Sequence, residues 1–218
     1  MRVALVLAAL ILGGCIGLMN APHTLTQNYT RGEALYTESF DADAQIEWPQ
    51  YNRDGLQLQV IDGAYQGTTS HSYYVWALNA QMHDDVVLEI STLQITDDGK
   101  NGYGLVCRAD PMNDGDGYYF LIGGDGTFSI RRGRGADVEA LVSWQRADAI
   151  RTGASPNTVR AVCIDDYLAL YVNGQFVAEA RDSLYRRGVA GVALVTAEGR
   201  SLTVAFDNLT AYSGSLAP

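Results

Sequence analysis

The sequence predicts an all-β domain, a sandwich or barrel, and three observations carry that expectation. Short runs of alternating or β-branched apolar residues fill the chain from Glu33 to Tyr212, with turn signals every ~8–12 residues. Gly (23) and Tyr (13) are abundant while Lys and Arg together number 15, a composition suited to strands and tight turns more than helices. The stretch Leu168–Ala178, LALYVNGQFVA, sets two apolar runs around Asn173-Gly174. That pair favours positive φ at both central positions and so makes a type I′ hairpin turn.

The elements follow in order. EALYTESF is the first strand, and LQLQVIDG places Leu56, Leu58 and Val60 on one face. SYYVWAL and the β-branched DVVLEISTLQI come next. GYGLVCRA and GYYFLIGG are joined by the turn-rich DPMNDGDG, and TFSIRR, DVEALVSW, TVRAVCID, YLALYV, QFVAEA, VAGVALVTA and SLTVAFDNLTAY complete about twelve strands. Only Ser143–Gly153, SWQRADAIRTG, hints at helix, and RDSLYRRG reads as a turn or a 3₁₀ piece. Leu168, Leu170 and Val172 on one strand, and Leu202, Val204 and Phe206 on the last, are the expected core.

The charge of −10 excludes a polyanion-binding role, since an acidic chain repels nucleic acid and anionic head groups. Arg131, Arg132 and Arg134, and Arg186-Arg187, are local basic clusters read as solvated turns.

Residues 1–15, MRVALVLAALILGGC, carry one Arg, an apolar run Val3–Leu12 and small residues before Cys15. The run suits a secretory leader. Leu-Gly-Gly-Cys resembles a bacterial lipobox, which implies cleavage after residue 14, lipidation of Cys15 and a domain anchored outside the cytoplasm. The alternative is an uncleaved anchor, as Val3–Met19 is nearly all apolar. Residues 15–32 read as lipidated Cys and stalk, 33–212 as the domain, and 213–218 as a tail. With Cys15 lipidated, Cys107 and Cys163 remain, and an oxidising compartment pairs them; the alternative is two buried thiols.

Four segments carry a resemblance: ESFD, GYGLVCRADPMNDGDGYYFLIGGDGTFSI, LALYVNGQFVAEARD and VAFDNLTAY. Together they resemble the concanavalin A-like lectin/glucanase superfamily, nearest in pattern to laminin-G-like and keto-disaccharide-hydrolase-like jelly rolls of bacterial lipoproteins. The resemblance implies a two-sheet antiparallel jelly-roll sandwich with one concave sheet across which sugars often lie. It also implies a structural calcium in some members, for which Asp41 and Asp207 are the candidates. No other cofactor is expected.

The chain departs from the glucanases. Their Glu-x-Asp-x-x-Glu run puts carboxylates on one strand face, as the nucleophile and acid/base pair require. Here Glu89 stands alone on its face. There is no G-x-S-x-G elbow or H-E-x-x-H, and neither His71 nor His83 has a nucleophile at a useful spacing. DPMNDGDG fails the EF-hand template and reads as a hairpin loop. Asn28-Tyr-Thr and Asn208-Leu-Thr match glycosylation acceptors by chance composition.

Aromatics are the functional lead, because sugar rings stack on aromatic faces while polar groups fix their hydroxyls. With the Phe120 face inward, alternation turns Tyr119 and Arg108 to the concave surface, and Tyr74, Trp76 and Trp144 extend the platform. The competing reading is ordinary cross-strand packing. Three functions compete: a non-catalytic glycan-binding or recognition module, an envelope domain that meets protein, and a glycoside- or keto-sugar-cleaving enzyme of the same fold.

Overall fold

A computed structural model describes residues 25–41, 48–110, 112, 115–135 and 137–218. The expected leader, Cys15 and the first part of the stalk lie outside the described residues. Among the described residues there is no helix; fifteen strands form two antiparallel sheets.

The smaller sheet has six strands: Val75–His83 (β5), Asn101–Ala109 (β7), Gly117–Ile122 (β8), Thr127–Arg134 (β9), Asp137–Arg146 (β10) and Gly188–Thr196 (β14). Their order is β10-β9-β8-β7-β14-β5. The larger sheet has nine: Tyr29–Glu38 (β1), Tyr51–Arg53 (β2), Leu56–Ile61 (β3), Ala64–Thr69 (β4), Val86–Gln94 (β6), Pro156–Ile164 (β11), Tyr167–Val172 (β12), Gln175–Arg181 (β13) and Leu202–Leu216 (β15). It runs β13-β12-β11-β6-β15-β4-β3-β2, with β1 beside β15. The last strand is therefore central: β6 flanks one edge, and β4 and then β1 flank the other.

The inner faces are those the alternation predicts. Leu105, Cys107, Phe120, Ile130 and Leu194 meet Leu88, Leu168, Leu170, Val172, Val204 and Phe206, all fully buried. Each such side chain contributes roughly 1.5–3 kcal/mol by leaving water. Cys107 of β7 is bonded to Cys163 of β11, so the disulfide ties one sheet to the other. A separation of 56 residues corresponds to about 4 kcal/mol of lost unfolded-state entropy in the chain-entropy model.

Asn173-Gly174 makes the expected turn, with φ of 52° and 79°. Asp54-Gly55 and Asp62-Gly63 repeat it and close β2–β3 and β3–β4. These hairpins add the two strands the sequence reading passes over. β4 is broken in pattern by Gly67, yet a Cβ there would lie 2.9 Å from both methyls of Leu194, so the sheets approach too closely for any larger residue.

Three expectations need correction. Ser143–Arg146 is the end of β10, not a helix, because its side chains pair across to β9 at Phe128 and Thr127. RDSLYRRG is an irregular connection, in which Asp182 accepts the Leu184 amide, rather than a 3₁₀ turn. The domain boundaries move outward from 33 and 212: Tyr29 pairs with Leu216, and Leu25, Tyr29 and Leu216 pack against the outer face of the larger sheet.

That outer face explains why Tyr167, Ala169 and Tyr171 are as buried as their core neighbours. Glu179 accepts from the Thr26 amide (3.1 Å), the Thr26 hydroxyl and the Tyr167 hydroxyl (2.9 Å). Tyr29 packs edge-on to Tyr171 at 5.7 Å, and Gln27 donates to the Ala217 carbonyl. The residues just before β1 thus form a strap across one end of the sheet.

Candidate ligand-binding groove

The outer face of the smaller sheet holds a buried apolar cluster of Val106, Tyr119, Leu121 and Ala193, with Tyr74, Trp76 and Leu78 packed against it. Strand register explains the placement. Trp76 (β5), Ala193 (β14), Gly104 (β7), Leu121 (β8) and Ser129 (β9) lie in one row across the sheet. The next row holds Leu78, Gly191, Val106, Tyr119 and Arg131. Small residues fill the middle of the first row and are buried, while Trp76 stands at its margin.

Two hollows share Tyr74 as their divide. The larger, about 490 Å³, is lined by Tyr73, Tyr74, Trp76, Gly115, Tyr119 and Val138, with Gly135 at its edge. The smaller, about 330 Å³, is lined by Tyr74, Lys100, Asn101, Asp125, Thr127, Trp144 and Thr196, among others. Both fall near the range of small-ligand sites. Tyr74 and Tyr119 stand 5.7 Å apart between ring centres. The Tyr119 hydroxyl donates to the Gly115 carbonyl, which folds the β7–β8 connection back over the sheet and against the Trp76 ring. At the other margin Trp144, 39 % exposed, reaches inward so far that a Cβ on Gly102 would sit 2.8 Å from its ring.

The polar groups divide between the hollows. Asp125 accepts from the Thr127 amide (3.1 Å) and hydroxyl (2.6 Å), and Asn101 accepts from the Gly124 amide (3.0 Å). Among the described residues the buried Thr196 hydroxyl has no hydrogen-bond partner, and neither does the Arg131 Nε. Burial raises the Tyr74 phenol pKa against the opposing pull of Arg131, and burial raises that of Tyr119 as well. Both phenols are neutral hydrogen-bonding groups at ordinary pH. Among the described residues that line the two hollows, Asp125 is the one carboxylate.

Tyr74, Trp76, Tyr119 and Trp144, widely spaced in sequence, therefore meet on one surface. Arg108 does not join them. Its φ is 52°, and Ala190 alone faces both Cys107 and Arg108 between the Val189–Ala109 and Gly191–Val106 pairs. This bulge turns Arg108 to the end of the sandwich, with a side-chain exposure of 0 %. There its guanidinium donates to the carbonyls of Asp84 (3.0 Å), Asp165 (2.6 Å), Tyr185 (3.1 Å) and Cys163 (3.2 Å), and to Asp85 Oδ1 (2.9 Å). Five acceptors match the five N–H donors of an arginine. Arg108 is a structural staple, and the surface position expected for it is corrected.

Other predicted residues also find local partners. Asp41 accepts from Ser39, and the two Asp207 oxygens accept from the Asn208 amide and side chain. Among the described residues no three His, Cys, Asp or Glu gather as metal ligands. Glu89 lies on the outer face of the larger sheet, bonded to Arg160 (2.6 Å). Arg132 is paired with Asp182 and Glu139 rather than solvated, and Arg131 donates to the Val138 carbonyl. The sequence did not mark Tyr73, Asn101, Thr127 and Thr196 as groove residues. The last three sit at strand ends and Tyr73 in the connection before β5, where period-two alternation gives no direction.

No family model matches the chain, and no curated protein sequence does. Solved structures do. The carbohydrate-binding module CBM66 from Bacillus subtilis is similar with a TM-score of 0.60 and 16% identity, covering 88% of this chain and 100% of that one. A Bacillus subtilis protein of unknown function with a galectin-like fold gives 0.63 and 15%, over 86% and 99%. The β-glucanase of Bacillus licheniformis gives 0.61 and 12%, over 84% and 99%. The chain has the concanavalin A-like jelly-roll fold that its sequence resembles.

Proposed function

We propose that this chain is a non-catalytic glycan-binding domain, held on the outside of a bacterial membrane through a lipidated Cys15. The observation that carries the reading is the groove itself. Tyr74, Trp76, Tyr119 and Trp144 line two adjoining hollows on the outer face of the smaller sheet. Flat apolar walls accept the faces of sugar rings, while Asn101 and Thr127 offer hydrogen bonds to hydroxyls. Two of the similar structures are named for carbohydrate binding or a glucanase, which agrees with this reading. The single lining carboxylate favours binding over cleavage. The leader and the lipobox-like Leu-Gly-Gly-Cys support the address.

A glycan array probed with residues 25–218, followed by titration calorimetry, tests the proposal. Trp76→Ala and Trp144→Ala should each weaken binding of the array hit by at least about tenfold, since stacking of one ring contributes on the order of 1–3 kcal/mol. No hit above background, or a hit indifferent to both replacements, refutes it.

A further inference from the structure

We infer that the strap at Leu25–Tyr29 holds the domain with its groove facing away from the anchoring membrane, so that it takes glycan chains arriving from outside rather than sugar head groups of its own leaflet. This rests on the reading of an N-terminal membrane anchor proposed above.

The geometry comes from three placements. First, the strap is fixed, not merely adjacent. Glu179 holds Thr26 by its amide and hydroxyl, Tyr167 donates to the Gln27 carbonyl (3.3 Å), Ala217 donates to the Asn28 carbonyl (2.9 Å), and Leu25 and Tyr29 pack on the outer face of the larger sheet. The groove lies on the outer face of the other sheet. Second, the strap sits at one end of the strands. Its partners Glu179, Tyr167 and Leu216 neighbour the turns after β5, β11 and β13. Trp144, Asn101, Asp125 and Thr196 lie at the opposite end, where β7 begins and β14 finishes. The smaller hollow is thus diagonally across the molecule from the strap, and the larger, which reaches Gly115 and Gly135 at the strap's own end, is separated from it by lying on the opposite face.

Third, the tether is short. Ten positions separate Cys15 from Leu25. Fully extended they span at most about 35 Å, and as a flexible chain roughly 17 Å. Two sheets packed ~10 Å apart, with side chains on both outer faces, make a layer of roughly 20 Å. Turning the groove onto the membrane requires the tether to pass around that layer, which exceeds its relaxed length. The strap-side orientation costs no such extension.

The test uses the full chain in vesicles of phosphatidylethanolamine and phosphatidylglycerol. A dye is placed at Leu184→Cys, beside the strap end, or at Ser201→Cys, at the far end; both positions are exposed, and the native Cys107 and Cys163 are bonded to each other. Energy transfer to an acceptor-labelled lipid should be at least twofold greater from position 184. Glu179→Ala, which removes the strap's acceptor, should shrink that ratio. In the unlabelled chain, aqueous acrylamide should quench the tryptophan emission and brominated lipid should not. Equal or reversed transfer, or quenching by brominated lipid, overturns the orientation while the anchor stands. Failure of the chain to remain with the vesicles overturns the anchor, and the orientation with it.

Discussion

Replacing Arg108 should unfold this domain far more readily than its place in a strand suggests. The guanidinium fills five acceptors drawn from four separated segments: the β5–β6 turn, the end of β11, the β11–β12 turn and the β13–β14 connection. Arg108→Met keeps the volume of the stem but removes every donor. Four carbonyls then lose a buried partner, at about 1–3 kcal/mol for each that water cannot reach. Asp85 is 42 % exposed and Asp165 also lies at the surface, so solvent repairs part of the loss. A net cost of about 4 kcal/mol follows from the buried carbonyls left without a donor. Arg108→Lys keeps the charge but offers three donors in place of five, and about 2 kcal/mol should go. In a domain of this size 4 kcal/mol corresponds to roughly 8–16 °C in Tm. Urea unfolding and calorimetry of residues 25–218, with the disulfide intact, measure the effect. Ligand affinity of the folded protein should not change, because Arg108 is remote from the groove. A loss below about 1 kcal/mol, or reduced affinity at unchanged stability, refutes the staple and returns Arg108 to a surface role.

Two further outcomes follow from the same geometry. Gly102→Val should leave the fold intact but drive the Trp144 ring outward, since even a Cβ meets that ring at 2.8 Å; a lowered affinity with an altered tryptophan emission checks this, and unchanged binding removes Trp144 from the site. His83 is buried with its Nε2 unpartnered among the described residues, and burial pushes its pKa below the ordinary 6.5 against the opposing pull of Asp84. The unfolded chain therefore binds this proton more readily, so the stabilisation is complete above about pH 6.5 and is lost as pH falls below it. Urea midpoints between pH 7.5 and 5 should decline less steeply in His83→Gln than in the parent; parallel slopes would exclude the histidine as the cause.

The alternation of apolar residues was sufficient for the sheets, because period two fixes which side chains face inward: Phe120, Leu170 and Phe206 are placed correctly from sequence alone. It also brought Tyr119 and Trp76 to the outer face. It failed at Arg108, where one left-handed residue shifts the phase and no local signal marks it; Arg is not a residue that favours positive φ. The hairpins of β2 to β4 were hidden for the opposite reason. Asp54-Gly55 and Asp62-Gly63 are strong turn signals, but the strands they join are short, and Gly67 blanks the pattern. The polar half of the groove was illegible because Asn101, Thr127 and Thr196 converge only once register aligns three strands. The buried Tyr167 and Tyr171 face gave no warning of the strap, since nothing in the sequence says what covers it.

The last strand, β15, has consequences beyond packing. It joins β6 to both β4 and β1, so without it the larger sheet divides into β13-β12-β11-β6, β4-β3-β2 and β1 alone. Contacts spanning most of the described chain must form before that sheet closes, a topology that is slow to assemble.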